Sequence, residues 1–332
     1  MYRIVRNHII DVSGMILIVL ALILLSISSK IKLFNELDPS LLNLNTIFLS
    51  ILIEALPFVL IGVLIAGAIQ IFVTEEHIRR WIPQNKFFAV LMSCVVGALF
   101  PACECGIVPI VRRLIGKGVP LHAAIGFMLT GPLINPIVIA STYMAFGNNI
   151  KMAGLRMGLG FLIAVIISLL VSWLYKGNQL NSPIHINESH THSEKASFSK
   201  RFWSMLIHSI DEFFDMGKYL IFGAFLAAFV QTYLPAKTLL EAGNGTISSL
   251  SIMMGLAYVL SLCSEADAFI GASFSSLFPT TAILGFLILG PMMDLKNTIM
   301  MVSVFRWKFV FGLLAIIISI IFAMLMLFNR FL

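Results

Sequence analysis

The sequence predicts an all-α, polytopic membrane protein in which one extra N-terminal helix precedes two related helical repeats. Three observations predict this fold class: a composition poor in charge, a series of long apolar stretches, and a partial match of the chain to itself. Only 11% of the 332 residues are charged and 59% are hydrophobic, whereas a soluble domain has roughly 25% charged residues. The mean hydropathy is +0.98. A lipid bilayer is therefore the predicted surroundings of most of the surface.

The apolar stretches predict helices that cross the membrane. About 17 to 25 apolar residues span the hydrocarbon core as a helix, and these stretches lack the alternation of a β-barrel strand. Seven of them approach or exceed that length, at residues 12–29, 46–73, 119–146, 157–175, 216–234, 279–305 and 309–328. Two further stretches, 87–111 and 248–278, each contain a cluster of cysteine and glutamate.

Residues 1–45 are predicted to form an anchor helix and a loop. Arg3, Arg6 and His8 precede the first apolar stretch, as in a signal peptide. No clear small-residue cleavage site follows, so the helix is expected to stay attached, with its N-terminus in the cytoplasm. The net charge of +6 lies in loops, where it indicates positive-inside topology rather than nucleic-acid binding.

A shift of 161 residues aligns part of the chain with itself. The shift places Glu54 on Asp215 and Glu104 on Glu265. Acidic residues are rare in apolar segments, so two matches of acid with acid at one shift are improbable by chance. The chain is therefore predicted to contain a duplicated membrane unit.

The two repeats are joined by a polar linker. The first membrane repeat covers residues 46–175, the linker 176–204 and the second membrane repeat 205–332. Three histidines in the linker are either a metal-binding loop or solvated filler, and both interpretations stay open. They are His185, His190 and His192.

Basic residues in the loops predict that the repeats are inverted. Residues 74–88 and 112–118 hold six lysines and arginines, whereas the matching loops, 235–247 and 273–278, hold only Lys237. Short cytoplasmic loops are enriched in these residues, so the matching loops are expected on opposite sides. The stretch between the two basic loops must then form a re-entrant hairpin, which gives each repeat three spans. The alternative is nine plain spans with parallel repeats.

Glu104 and Glu265 are the predicted functional acids. Glu104 stands in Phe100–Gly106, where proline and glycine should break the helix at membrane depth. A carboxylate at the bilayer centre costs about 2.5 to 3.5 kcal/mol, and burial disfavours its charged form, which suits reversible proton binding. In the alternative, which stays open, the acids pair with Arg112 or another internal cation and only fix the hairpins.

A second helix break is predicted in each repeat. Its residues are Gly131, Pro132, Asn135 and Pro136 in the first repeat and Gly290, Pro291 and Asp294 in the second. Leu295 replaces the second proline, so the break in the second repeat is expected to be milder. Discontinuous helices at matching positions point to a transporter's substrate site. Asn135 and Asp294 are expected to face a shared cavity, although kinks that only shape packing remain an alternative.

Three cysteines lie beside the predicted acids. Cys103 and Cys105 flank Glu104, and the alignment sets Cys263 opposite Ala102. Soft thiolates favour copper(I), zinc and, by extension, trivalent arsenic, so Cys103 and Cys105 are candidate ligands, with Cys263 converging on the same cargo. The alternative is packing, because free cysteine is a common small buried residue.

Other charged residues in or near the spans have ordinary explanations. Arg156 and Arg306 open the last helix of each repeat, where snorkelling to lipid headgroups is expected. Glu54 and Asp215 either line the pathway or cap a neighbouring helix.

The motifs resemble those of a known family. Phe-Pro-x-Cys-x-Cys-Gly-x-x-Pro extends from Phe100 to Pro109, and Thr-Gly-Pro-x-x-Asn-Pro from Thr130 to Pro136. Together they are similar to the predicted permease family that includes the bacterial organoarsenical efflux permeases. The resemblance covers about residues 45–328 and implies a multi-pass permease of the cytoplasmic membrane, with a second membrane subunit for some members. It does not fix the cargo.

The predicted function is movement of a small solute across the cytoplasmic membrane, with proton coupling through the two acids. The resemblance implies efflux of a thiophilic or organoarsenical species. No cofactor and no nucleic-acid partner are expected. The sequence has no Walker-type loop for an ATPase and no metalloprotease or serine-hydrolase motif that would favour an enzyme. The alternatives are a subunit of a multi-component permease with another cargo, and an intramembrane enzyme.

Overall fold

A computed structural model describes residues 39–72, 76, 82–101, 103–177, 179–181, 198–233 and 245–329. The predicted anchor helix at 12–29, the three linker histidines, and Arg79, Arg80 and Lys237 lie outside the described residues.

The described residues form twelve helices and no β-strand, so the all-α prediction is confirmed. In the first repeat they are α1 Pro39–Phe72, α2 Lys86–Leu99, α3 Glu104–Gly116, α4 Leu121–Ile134, α5 Pro136–Ala145 and α6 Ile150–Leu174. In the second repeat they are α7 Phe198–Tyr233, α8 Thr246–Leu260, α9 Ser264–Ser273, α10 Thr280–Met292, α11 Leu295–Val304 and α12 Trp307–Phe328. Each of the two predicted repeats, called the repeats below, thus contains six helices of similar lengths in the same order.

Six segments are long and apolar enough to cross a membrane. They are Ser40–Gln70, Leu121–Ala145, Ile150–Leu174, Met205–Tyr233, Thr280–Val304 and Trp307–Phe328. These match the predicted spans other than the one at 12–29, so a multi-pass membrane protein is confirmed. The apolar helices α2 and α8 are shorter, with 14 and 15 residues. Each is followed by another short helix, so α2–α3 and α8–α9 are the segments that the sequence predicts as hairpins.

The predicted breaks in the apolar stretches 119–146 and 279–305 are present, between α4 and α5 and between α10 and α11. Asn135 is extended between α4 and α5, and its side chain accepts a hydrogen bond from the backbone N–H of Val138 at 2.9 Å. Asp294 caps α11 in the same way, by accepting from Asn297 N–H at 2.5 Å. A side-chain oxygen at this position satisfies one of the free N–H groups of the new helix start.

The expectation of a milder break in the second repeat is wrong. Both Met293 and Asp294 have extended backbone, whereas Asn135 is the sole interruption between α4 and α5. The missing second proline does not restore the helix, because the Asp294 cap stabilises a helix start at this point as well as proline would.

The two repeats meet through reciprocal contacts. Helix α5 packs against α9, and α11 packs against α3, so a broken helix of each repeat contacts the hairpin of the other. Helices α1 and α7 also pack along each other. We call the region where α3, α5, α9 and α11 meet the seam. At Gly62 of α1, an added Cβ would lie 2.3 Å from the carbonyl oxygen of Gly106 in α3; only glycine permits this approach.

Candidate functional site

Buried charge is concentrated at the seam. Of the six buried charged side chains among the described residues, five lie here, and each is 0% to 3% exposed. They are Glu104, Arg156, Asp267, Asp294 and Lys296. Buried charges must be paired and hydrogen-bonded, or lose their charge, because isolated ions are costly in an apolar interior. The contacts among these five residues therefore determine how the buried charge at the seam is neutralised.

Glu104 lies in the first turn of α3 and contacts the second repeat with both carboxylate oxygens. Its Oε1 atom is 3.4 Å from Nζ of Lys296, and its Oε2 atom accepts a hydrogen bond from the Ser264 hydroxyl at 3.4 Å. Cys103 is the cap residue that starts this helix. Glu104 therefore pairs with an internal cation, as the structural alternative expected, but that cation is not Arg112.

Lys296 in α11 is a functional candidate that the sequence analysis missed. Its Nζ atom lies 3.6 Å from Oδ2 of Asp294 and donates to the carbonyl oxygen of Ser261 at 3.2 Å. The signal was present, because a lysine within the apolar stretch 279–305 is as costly to bury as an acid.

Arg156 does not snorkel to headgroups, so that expectation is wrong. Helix α6 begins at Ile150, which places Arg156 nearly two turns inside the protein. Its guanidinium donates to the Thr142 hydroxyl at 2.7 Å and to the carbonyl oxygen of Ser264 at 3.2 Å. Arg306, directly before α12, is exposed.

Ser264 joins these contacts into one network. Its carbonyl oxygen binds Arg156 of the first repeat and its hydroxyl binds Glu104, which in turn contacts Lys296. The network runs across the seam without leaving the protein interior. Any movement of one repeat against the other must break or rearrange it.

The helix starts revise the alignment of the two hairpins by one residue. Cys103 caps α3 and Cys263 caps α9, so Cys263 is opposite Cys103 rather than Ala102. The same register sets Glu104 opposite Ser264 instead of Glu265. The shift is one residue shorter here because the connection between α8 and α9 is one residue shorter than the connection between α2 and α3. An alignment with one fixed shift cannot represent this difference.

Glu265 and Asp267 differ in their surroundings. Glu265 is half-buried in the first turn of α9 and interacts electrostatically with Arg156. Asp267, two residues later in the same first turn, is 1% exposed, and neither of its carboxylate oxygens has a hydrogen-bond partner among the described residues.

The structure brings two of the predicted cysteines together. The thiols of Cys103 and Cys105 interact electrostatically with each other. Cys263 instead accepts from the backbone N–H of Ala266 at 3.4 Å and interacts electrostatically with Glu54 of α1. The described residues contain no group of three or more His, Cys, Asp or Glu side chains placed to hold a metal ion.

The residues of the first break support the seam from one side. Asn135 is buried and donates to the carbonyl oxygen of Gly131 at 3.4 Å. A Cβ at Gly131 would lie 2.6 Å from Ile107 of α3, so this glycine allows α4 to approach the hairpin. Pro132 is buried in the last turn of α4. These residues shape the seam but do not contact its charged network.

A second ion-paired cluster fixes the far end of the first hairpin. Arg113 in the last turn of α3 contacts Glu212 of α7 at 2.6 Å, and Arg112 contacts the same carboxylate at 3.4 Å. Glu212 is the sixth buried charge. This cluster ties α3 to the second repeat at the end away from Glu104.

A cavity of about 420 Å³ opens between the α5–α6 turn and the start of α10. Its lining includes Asn149, Lys151 and Leu155 from the first repeat and Ala272 and Thr280 from the second. Leu155 precedes Arg156 in the chain, and Ala272 lies on the same helix as Asp267. The cavity therefore approaches the seam from one end of the molecule.

Comparison with known proteins identifies the family. The sequence profile of a family described as "Predicted permease" matches residues 40–330. The chain belongs to this predicted permease family. The UPF0718 protein YcgR of Bacillus subtilis is 52% identical over 284 residues, which are 86% of this chain and 96% of that protein.

Another relative, from Streptococcus mutans, is named as a proposed subunit of a two-component membrane permease complex. It is 43% identical over 277 residues, which are 83% of this chain and 92% of that protein. No solved structure shows a significant match to this chain. Membership of a permease family, together with six apolar helices, favours transport over catalysis, and the resemblance drawn from the two motifs is confirmed.

Proposed function

We propose that this protein is a carrier that moves a small solute across the cytoplasmic membrane through the seam. The observation that carries the proposal is the ion pair between Glu104 and Lys296, buried where a hairpin of one repeat meets a broken helix of the other. Charged side chains inside a membrane protein mark solute pathways and proton relays. Broken helices at matching positions of two repeats mark the substrate site of many carriers.

The proposed topology is an inverted repeat in which each hairpin enters and leaves on one side. Leu180, after α6, pairs with Phe305, after α11, so these two points lie at the same end of the molecule. An even number of membrane crossings must then separate these two points. The spans α7 and α10–α11 supply two crossings, which supports an α8–α9 hairpin that enters and leaves on one side. In the first repeat, His122 at the start of α4 interacts electrostatically with Lys86 at the start of α2, which supports the same arrangement.

Alternating access follows from the same contacts. Helix α9 belongs to the second repeat but holds Arg156 of the first through its Ser264 carbonyl. If the repeats rock against each other, this contact and the Glu104–Lys296 pair open at one end while the seam closes at the other. The 420 Å³ cavity then represents the entrance on one side.

Proton coupling is the second part of the proposal. The Nζ atom of Lys296 lies at similar distances from two acids, 3.4 Å from Glu104 and 3.6 Å from Asp294. If Glu104 takes up a proton, Lys296 keeps a partner in Asp294, so the network stays neutralised. Glu265, half-buried at the tip of the second hairpin, would exchange protons with the solution.

The proposed cargo class is a thiophilic species such as a trivalent organoarsenical. The adjacent thiols of Cys103 and Cys105 supply soft ligands of the kind that such species prefer. They sit at the hairpin tip beside Glu104, so cargo bound there would directly disturb the Glu104–Lys296 pair. Efflux, rather than uptake, follows the family resemblance.

A second candidate function is a subunit of a two-component permease. The name of the Streptococcus mutans relative supports it, because the match covers 92% of that protein. In that case the seam would still carry the solute, and a second membrane protein would be required for activity.

Transport into everted membrane vesicles tests the proposal. Vesicles that contain the protein should accumulate phenylarsine oxide, a trivalent organoarsenical, when an inward-acidic pH gradient is imposed. Glu104→Gln and Glu265→Gln should abolish the accumulation driven by the gradient, while exchange of the arsenical at equal pH partly survives. Absence of transport with this chain alone, but transport after co-expression of a neighbouring membrane protein, would favour the second candidate. Wild-type rates and pH dependence in both variants would overturn proton coupling.

A further inference from the structure

Asp267 is a buried acid without a hydrogen-bond donor. It lies in α9, is 1% exposed, and has two carboxylate oxygens that find no partner among the described residues. An ionised carboxylate needs several hydrogen-bond donors around it, whereas the protonated form has one O–H donor, accepts fewer hydrogen bonds and carries no charge. Leaving an ionised group unpaired inside the protein is far more costly than leaving a neutral one.

The charge balance of the seam indicates the same residue. Three buried carboxylates face two buried cations, so the fully ionised seam would carry one excess negative charge. Lys296 lies within 4 Å of both Glu104 and Asp294. Arg156 donates to Thr142 and to the Ser264 carbonyl, not to a carboxylate. Asp267 is therefore the one buried carboxylate of the seam with neither an ion pair nor a hydrogen bond among the described residues.

The helices that pack against α9 supply no charged partner to Asp267 in the described part of the chain. Helices α5 and α10 pack against α9, and neither contributes a charged side chain to the described structure; Tyr143 of α5 is exposed. On its own helix the neighbouring acid is Glu265. The remaining groups that act on Asp267 electrostatically are Arg156, Glu104, Asp294 and Lys296.

Gly290 of α10 leaves the space that Asp267 occupies. An added Cβ at Gly290 would lie 2.6 Å from Oδ2 of Asp267, closer than non-bonded atoms approach. The carboxyl group is thus packed against bare backbone, with no room on this face for a coordinating water or a metal ion. A proton is the smallest charge that can neutralise it there.

We propose that Asp267 is a proton-carrying site of the seam, held protonated in the state seen here and released when Arg156 turns toward it. On release, the O–H bond of the Asp267 carboxyl breaks, the electron pair stays on the carboxylate, and the proton passes to water in the 420 Å³ cavity, which Ala272 of the same helix lines. Arg156, whose Nε atom has no partner among the described residues, then pairs with that carboxylate and gives up its contact with Ser264. Protonation of Asp267 is in this way linked to the contact that joins the two repeats.

This inference deepens the proposed carrier function, but its test requires no cargo. Infrared spectra of the purified full-length protein in lipid, recorded during a pH titration, reveal the carbonyl band of a protonated carboxylic acid and its shift in heavy water. Wild-type protein should contain a protonated acid at neutral pH that Asp267→Asn lacks. Glu265→Gln, which removes a half-buried acid from the same helix, should retain the band. Failure of arsenical transport would leave this result unaffected.

Two further measurements keep the test decisive. If Asp267→Asn does not fold, Gly290→Ala should instead shift the frequency of the band, because its methyl group presses on the carboxyl oxygen. Sodium added at constant pH should leave the wild-type band unchanged. The proposal is overturned if Asp267→Asn keeps the full band, if Gly290→Ala leaves its frequency unaltered, or if sodium removes it, which would identify a metal cation as the ligand.

Discussion

The Nζ atom of Lys296 lies 3.4 Å from Oε1 of Glu104, so a lysine of the second repeat neutralises a glutamate of the first inside the protein. Neither side chain is more than 4% exposed. Under the proposed carrier function, the pair holds the repeats together in one state and must open when they move. Stability and transport should respond differently to its removal.

Replacing Lys296 with methionine should destabilise the protein strongly. The change leaves Glu104 and Asp294 buried without their shared cation, and breaking a buried pair costs about 3 to 5 kcal/mol. Thermal unfolding in detergent measures the loss. Adding Glu104→Gln to Lys296→Met should recover part of it, because the variant then has one fewer unpaired charge.

Lys218→Met is the matched control. Lys218 lies 3.5 Å from Asp215, which is largely exposed, so loss of this pair should cost at most about 1 kcal/mol. Equal losses at Lys296 and Lys218 would mean that the seam pair adds nothing beyond an ordinary surface contact.

Glycine at position 62 should be required for the packing of α1 on α3. Gly62→Ala places a methyl group 2.3 Å from the backbone oxygen of Gly106, and overpacking of this kind costs about 1 to 3 kcal/mol. Gly154→Ala in α6, where an added Cβ meets nothing within 4 Å, should be neutral or stabilising by up to about 1 kcal/mol. Unfolding midpoints of the two variants that coincide would refute the close approach.

The general architecture was predictable from the sequence because its signals are local. Apolar length predicts the spans, and proline with glycine predicts the interruptions at Asn135 and at the tip before Glu104. These effects depend on a few consecutive residues and on the bilayer thickness. The paired positions of Asn135 and Asp294 were also predictable, since both are helix-cap residues at matching places in the repeats.

The partners in the seam were not predictable, because they depend on which helices meet. Glu104 and Lys296 are 192 residues apart in the chain, and no local pattern joins them. The sequence places Arg156 at the membrane surface because the apolar stretch begins at residue 157, whereas α6 starts at Ile150. Seven residues of helix carry its side chain from the surface into the interior.

The two adjacent thiols should matter for arsenical resistance, whereas a packing cysteine should not. Cys103→Ser and Cys105→Ser keep the size of the side chain but remove a soft ligand, so each should abolish protection against phenylarsine oxide in an arsenic-sensitive strain. Cys263→Ser tests the predicted third ligand in the same assay.

Cys94→Ser provides the control for that experiment. Cys94 is buried in α2 beside Ser168 and away from the seam, so the variant should protect as well as the wild type. Full protection by all of the other three variants, at wild-type protein levels, would assign the cysteines to packing.

Labelling of intact cells should distinguish inverted from parallel repeats. In a cysteine-free background, Ile150→Cys lies at the exposed start of α6, and Ser189→Cys lies in the linker outside the described residues. The inverted arrangement puts position 150 outside and position 189 in the cytoplasm. An impermeant maleimide should therefore label Ile150→Cys and spare Ser189→Cys; the opposite pattern would establish nine spans.

The accessibility of Ser264 tests the carrier account most directly, because this residue lies buried between Arg156 and Glu104. Ser264→Cys, in the same cysteine-free background, is exposed to an impermeant maleimide in right-side-out and in inside-out vesicles. Alternating access predicts labelling from both sides, at rates well above that of Ile288→Cys, a fully buried core position in α10. Labelling from one side alone, or no faster than at Ile288→Cys, would contradict a seam that opens alternately to the two sides of the membrane.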